Sequence, residues 1–505
     1  MAETTLDAET PSQAKLAGGA LFLGLIFATG QAPFDLWYLA LVALGGALWL
    51  IRAAATPRQA GWTAWAFGAG YFGFSMSWLV EPFLVDAAVT GWMAPFALVL
   101  AAGGFALFWA WPAWVAARFS APWLIVPLWA LSELARAYML TGFPWGMVGY
   151  VLAPTTAVQW LAWIGPHGLN LLLLALVALT VSALGQRDWR AGLAACLGAA
   201  MLFGIGWARI APPAPEEGRP VIRLVQPNAP QAEKWLPGRA QMFFERQIRA
   251  TAAGPQPDLI LWPETALPML LNHAGEALRI VSDAAGPVPV LIGIQRAEAD
   301  RYYNSSVLIG PDGAVRDTYD KHHLVPFGEY MPAAWLFRHI EVSGLAQRAE
   351  YGYSAGPGPR LIDLGDLGTA LPLICYEAVF PQDVGGAPAR ADMILQMTND
   401  AWFGQWSGPY QHLMQARLRA IEQGLPVMRA ANTGVSAVID GQGRITARLG
   451  LGLSGHVDAA IPPPLPPTLY SRTGDWPILL CLLGLVALGV ASLRRNPIDG
   501  TGLRG

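Results

Sequence analysis

The chain has 505 residues, of which 54% are hydrophobic and only 13% are Asp, Glu, Lys or Arg, with 22 Trp, 55 Gly and 41 Pro. Soluble domains carry about 25% charged residues. A surface with half that share cannot face water throughout, so an integral membrane protein is the default and a disordered chain or coiled coil is excluded. The net charge of −3 offers no basic excess for nucleic acid.

In chain order, apolar stretches lie at roughly 16–30, 36–54, 60–80, 91–115, 122–141, 168–185 and 191–210, with an eighth at 476–493. Each approaches the ~20 residues that cross a bilayer core of about 30 Å, and together they predict eight transmembrane helices. Arg52 and Arg58 follow the second stretch, Arg118 the fourth, Arg187 and Arg190 the sixth, and Arg494 and Arg495 the eighth. The connections Gln31–Asp35 and Val80–Thr90 contain no Lys or Arg. Cationic loops stay in the cytoplasm. Both tails, 1–15 and 494–505, are therefore expected there, with residues 16–210 forming seven helices and 476–493 the eighth. The soluble block 215–470 is then expected on the opposite side, which in a bacterium is the periplasmic face of the inner membrane. The leading region is acidic (Glu3, Asp7, Glu9, with Lys15), unlike a cleaved signal peptide. Pro212–Pro215 and Pro462–Pro467 read as stiff connectors at the edges of the soluble block. In the fifth stretch Glu133 and Arg136 share a helix face, either as an interfacial ion pair or as a contact for a lipid headgroup. Gly142-Phe143-Pro144-Trp145-Gly146 reads as an interfacial turn or re-entrant loop.

The soluble block mixes strand-like runs with helical patterns. Strands are expected at Val221–Val225, Leu259–Trp262, Val288–Ile294, Ser306–Ile309, Ala370–Ile374 and Met393–Gln396, and helices at Gln241–Ala252, Gly275–Ala284 and His412–Gln423. This is α/β architecture, and its near-continuous apolar strands are covered on both faces. Polar motifs follow three of the strands: Pro263-Glu264-Thr265, Cys375-Tyr376-Glu377 and Thr398-Asn399-Asp400. Reactive groups of α/β proteins gather at such carboxyl ends. Of the three cysteines, Cys196 and Cys481 fall in predicted spans and are expected to be small buried residues. Cys375 is the lone thiol of the soluble block, either inert core or a nucleophile. A nucleophilic thiol needs a base or a cation beside it. His273, His322, His323, His339, His412 and His456 show no papain-like or zinc-ligand spacing. That leaves Glu264 and Lys321 as candidates, although Lys321 taken alone could be an ordinary solvated loop charge. It is one of only three lysines, with Lys15 and Lys234, and follows a probable hairpin at Pro311-Asp312-Gly313.

Glu264 in W-P-E, Lys321 in D-K-H-H-L-V-P-F-G-E-Y and Cys375 in I-C-Y-E resemble the Glu-Lys-Cys triad of the nitrilase superfamily. With the predicted spans, T-N-D-A-W-F-G at Thr398–Gly404 and G-P-Y-Q-H at Gly408–His412, residues 16–495 resemble the bacterial apolipoprotein N-acyltransferases. The resemblance implies a four-layer α-β-β-α sandwich for the soluble block. It implies acyl transfer by a ping-pong route from a phospholipid, normally phosphatidylethanolamine, through a thioester on Cys375 to the α-amine of a diacylglyceryl-cysteine at a lipoprotein N-terminus. Glu264 would be the general base, and Lys321 would face the oxyanion. Glu329, Tyr376 and Glu377 would support them. Trp235, Asn399, Trp402 and Phe403 would meet the substrate or keep water from the thioester. No metal and no cofactor are implied, and a monomer is expected. Two other readings share parts of the pattern. A membrane-tethered amidase of the nitrilase type would use the same triad on C–N bonds. A transporter with a regulatory domain would need more buried charge along its spans than Glu133 and Arg136 provide.

Overall fold

The computed structural model describes residues 12–332 and 352–495. Most of the expected tails (1–11 and 496–505) and the segment 333–351, which contains His339, lie outside the described residues. Helices occupy every one of the eight apolar stretches: Gln13–Ala28, Trp37–Arg52, Pro57–Ser75, Ala94–Arg118, Ile125–Tyr138, Leu161–Gln186, Trp189–Arg209 and Trp476–Arg495. Among the described residues, four helical stretches are both long and apolar enough to cross a membrane: Ala87–Arg118, Thr156–Gln186, Trp189–Arg209 and Trp476–Arg494. The other four fall short for physical reasons. Gln13–Ala28 and Trp37–Arg52 have 16 residues each, about 24 Å of helix. Ile125–Tyr138 has 14 and carries charge. Pro57–Ser75 is diluted by glycine, and Gly70 shows why. A Cβ there would stand 2.2 Å from the Leu21 carbonyl oxygen, so only glycine lets this helix pack backbone-close to Gln13–Ala28.

Two expectations for this helical half need correcting. Cys196 and Cys481 are exposed, not buried. They sit on helices whose apolar windows are only 17% covered by protein, and such a helix needs no protein around a small apolar side chain if lipid surrounds it. The Glu133–Arg136 pair is not open to a headgroup, since both side chains are buried. Glu133 accepts from Trp109 Nε1 at 2.7 Å and from Arg136 at 2.9 Å, while Arg136 donates to the carbonyls of Phe143 (2.5 Å) and Trp145 (2.8 Å). The pair therefore pins the Gly142–Gly146 loop against its own helix.

The α/β half contains two six-stranded sheets. In the first, β1 (Val221–Gln226), β2 (Leu259–Leu261) and β3 (Val290–Glu298) run parallel, extended antiparallel by β12 (Gly455–Ala460) on one side and by β4 (Arg301–Ile309) and β5 (Val315–Asp320) on the other. The second repeats the plan. β7 (Thr369–Ile374), β8 (Met393–Thr398) and β9 (Val427–Ala431) are parallel, flanked by β6 (Ile362–Asp363) and by β10 (Ser436–Ile439) and β11 (Ile445–Leu449). Period-two alternation sorts the side chains. Leu259 and Leu261 of β2 share a core with Met393, Leu395 and Met397 of β8, between the sheets. Ile260 and Trp262 face outward and pack with Leu278 and Val281 of the helix Gly275–Ala285. Ile394 does the same on the other sheet against Ala416 and Ala420 of the helix Gly408–Gln423. Helices thus cover the outer faces, giving the α-β-β-α layering, and strands buried on both faces read as unbroken apolar runs.

Gln411 joins the two halves. Its Oε1 accepts from Trp78 Nε1 (3.2 Å) and Trp145 Nε1 (2.7 Å), and its Nε2 donates to the carbonyls of Ala32 (3.3 Å) and Ser75 (3.0 Å). The next residue, His412, reaches into the α/β half.

Candidate active site

The carboxyl ends of β2, β5, β7 and β8 deliver Glu264, Lys321, Cys375 and Asn399 to one place. Glu264 follows β2, where Gly293 of β3 leaves room for it: a Cβ on Gly293 would lie 2.4 Å from the Pro263 carbonyl oxygen and 2.6 Å from Glu264 Cα. The carboxylate is held at both oxygens. Oε1 accepts from Asn304 Nδ2 at 2.7 Å and Oε2 from the Asn399 backbone N–H at 2.9 Å. Lys321 leaves β5 with its backbone N–H bonded to the Asn304 carbonyl at 2.8 Å. Its buried ammonium stands 2.9 and 2.8 Å from the two oxygens of Glu329 and 3.6 Å from Glu264 Oε1. Glu329 also accepts from Asn304 Nδ2 (3.0 Å) and the Val325 N–H (2.8 Å).

Cys375 directly follows β7 in the left-handed region, at φ +52°. That conformation is uncommon for a side chain with a Cβ and needs support from its surroundings. Part of the support is Glu377, fully buried two residues on. Its Oε2 accepts from the Ile374 N–H at 2.6 Å, and its Oε1 accepts from Tyr319 Oη (2.8 Å) and the His322 N–H (2.8 Å). Glu377 therefore ties the cysteine turn to the loop that carries Lys321.

The charges follow from this packing. Burial works against the Lys321 ammonium, but Glu329, Glu264 and Cys375 outweigh it and push its pKa up. Burial, followed by the Glu264 charge, pushes the Cys375 thiol up, and Lys321 opposes them. Both the Glu264 and Lys321 charges act on the thiol. Lys234 is a second buried amine near Glu264. It donates to Thr265 Oγ1 at 2.7 Å and the Glu264 carbonyl at 3.3 Å, and burial lowers its pKa to about 8.

Of the residues expected at the substrate, Trp235 is exposed, with the Lys234 ammonium 4.9 Å from its ring centre. Trp402 is half-buried. Phe403 is buried with its ring centre 4.9 Å from that of Trp78 and 5.6 Å from that of Trp145, so it contributes to the joint between the halves. The Asn399 side chain bonds Gln231 and Asn432, and its backbone holds Glu264. Tyr376 is buried edge-on to Phe380 and His323. The sequence reading did not single out Asn304. The one signal for Asn304 is a run of three polar residues, Asn304-Ser305-Ser306, inside a strand where all three are buried.

Residues 23–180 match the family described as apolipoprotein N-acyltransferase N-terminal domain, and residues 222–465 match carbon-nitrogen hydrolase. The apolipoprotein N-acyltransferase of Brucella melitensis biotype 1 is 38% identical, over 93% of this chain and 94% of that one. Those of Rhodopseudomonas palustris and Caulobacter vibrioides are each 36% identical, over 95% and 94% of this chain. The chain belongs to the apolipoprotein N-acyltransferase family. Among solved structures, the amidase NitN from Nesterenkonia sp. AN1 is similar at 19% identity and a TM-score of 0.36, covering 52% of this chain and 98% of that one. XC1258 from Xanthomonas campestris, a CN-hydrolase superfamily protein, is similar at 22% identity and a TM-score of 0.34, over 52% of this chain and 97% of that one. In this chain an apolar helical half precedes a nitrilase-like α/β half, and Gln411 fastens one to the other.

Proposed function

We propose that this chain moves an acyl group from a membrane phospholipid, phosphatidylethanolamine in the first instance, to the α-amine of an N-terminal diacylglyceryl-cysteine on a lipoprotein. The observation that carries the reading is the convergence of Glu264, Lys321 and Cys375 from three separate strand ends, with Glu264 fixed at both oxygens. In the first half-reaction Glu264 takes the thiol proton as sulfur bonds to the ester carbonyl carbon. Lys321 faces the oxyanion, and the Tyr376 N–H, in the first turn after the nucleophile, is a second donor to it. The C–O bond then breaks, and Glu264 returns the proton to the leaving lysophospholipid oxygen. In the second half the lipoprotein amine attacks the thioester carbon. Glu264 takes a proton from the nitrogen, the C–S bond breaks, and the proton returns to sulfur. Glu329 keeps Lys321 charged and aimed throughout. Trp235 and Trp402 screen the thioester from water.

In the same reading all eight helices cross the inner membrane, both tails lie in the cytoplasm, the α/β half stands in the periplasm, and the protein acts as a monomer. Purified full-length protein incubated with phosphatidylethanolamine should release lysophospholipid and gain one acyl mass on the Cys375 peptide. Cys375→Ser should give neither product, since serine has a far higher pKa and the base available is a carboxylate. Absence of both adduct and lysolipid in the parent protein would overturn the proposal.

A further inference from the structure

Cys375 is backed by a buried hydrogen-bonded chain that the acyl-transfer steps do not use. The Thr398 hydroxyl, beside the Cys375 thiol, donates to Asp400 Oδ1 at 2.9 Å. The same Asp400 oxygen lies 2.9 Å from His412 Nδ1, and His412 Nε2 lies 3.0 Å from the Cys375 carbonyl oxygen. The Arg429 guanidinium anchors the other Asp400 oxygen. Thr398, Asp400, His412 and Arg429 are all fully buried. The His412 ring is packed between Trp145 and Phe403, with ring centres 5.7 and 5.5 Å away, so it has little freedom to turn.

We propose that His412 is a positioning residue for the nucleophile: its Nε2–H donates to the Cys375 carbonyl and keeps Cys375 in the left-handed conformation that aims its sulfur at Glu264 and Lys321. This rests on Cys375 being the nucleophile. A carbonyl oxygen only accepts, so the contact at 3.0 Å places a proton on Nε2. Nδ1 faces Asp400 Oδ1 at 2.9 Å and the Arg429 guanidinium at 3.4 Å. Burial and then Arg429 pull the imidazole pKa down, against Asp400 and the Cys375 carbonyl. The Gln396 amide nitrogen is a second donor near the Cys375 carbonyl, at 3.5 Å.

Two polar substitutions separate positioning from mere filling of space. In His412→Gln the side-chain amide reaches the position of Nε2 and still donates to the Cys375 carbonyl. In His412→Asn the shorter amide reaches only the position of Nδ1, toward Asp400. With full-length protein and phosphatidylethanolamine vesicles, His412→Asn should lower kcat for lysophospholipid release by about 10²-fold with KM unchanged, the cost expected of a nucleophile displaced by about 1 Å. His412→Gln should stay within about tenfold of the parent, a loss well short of that displacement cost. Equal rates for the two variants, or a loss confined to KM, would overturn the proposal. Cys375→Ala in the same assay separates the possible failures. If it releases no lysophospholipid while His412→Asn is unimpaired, the positioning role alone falls. If release survives in Cys375→Ala, the nucleophile assignment itself falls.

Discussion

Asn304 contacts three members of the site at once. Its Nδ2 donates to Glu264 Oε1 and Glu329 Oε1, and its carbonyl accepts from the Lys321 backbone. One neutral amide thereby spaces two carboxylates around one ammonium without adding charge. Asn304→Ala should lower the rate of acyl-enzyme formation by roughly 10²-fold, in the range for losing one preorganised donor, with phospholipid KM nearly unchanged because Asn304 meets the base and not the lipid. Single-turnover kinetics on the purified variant would show this, and a change in KM alone would contradict it. His322, next to Lys321, links the site to pH. Burial disfavours its charge, but Asp383 and Glu377 outweigh burial and raise its pKa to about 9. A histidine raised from about 6.5 adds stability that is complete below that pH, shrinks as the pH rises, and is gone above about 9. The unfolding midpoint of the protein should therefore fall between these values. His322→Gln should flatten that fall, and a variant that retained it would place the titration on another group.

At the scale of elements, the site depends on how closely β3 passes behind the end of β2. Gly293 pairs with Ser306 of β4, and a methyl group there would run into Pro263 and Glu264 backbone. Gly293→Ala should push Glu264 off its two donors, costing about 1–3 kcal/mol of stability as overpacking and roughly 10²-fold in acylation as misplacement of the base. Normal acylation in a folded Gly293→Ala protein would show that Glu264 needs no such placement. The same strands explain what the sequence disclosed. β2, β7 and β8 are apolar on both faces, and each runs straight into a polar motif, so Glu264, Cys375 and Asn399 were legible as strand-end groups. β5 is Val-Arg-Asp-Thr-Tyr-Asp, β9 carries the buried Arg429, and β6 has two residues. These strands are set by pairing with their neighbours rather than by hydrophobic pattern, and no apolar run marks them. Asn304 and His412 were hidden for a related reason. Each is a polar residue whose partners come from far along the chain, and spacing within one segment cannot reveal such a contact. Glu133 and Arg136 were legible as a pair, but their burial came from the loop that folds back onto them.

At the scale of the whole molecule, the chain sets a sheet sandwich that can hold a triad on an apolar helical platform. Gln411 bonds four points of the platform, and the adjacent His412 bonds the carbonyl of Cys375. The nucleophile is thereby registered against the helices through two consecutive residues, a short path for aligning a membrane-borne ester with a thiol. That arrangement works only if the sandwich lies on the side where the acceptor amine arrives, which in the proposed topology is opposite the arginine-bearing loops. Two exposed positions test it, because among the described residues one candidate span, Trp189–Arg209, lies between them. Gln186 ends the preceding helix beside Arg187 and Arg190, and Asp312 lies at the tip of the β4–β5 hairpin. With the three native cysteines changed to Ala, Asp312→Cys should react with a membrane-impermeant maleimide in intact spheroplasts. Gln186→Cys should react only after lysis. The opposite pattern would invert the molecule in the membrane, and labelling of both from outside would mean that Trp189–Arg209 does not cross it.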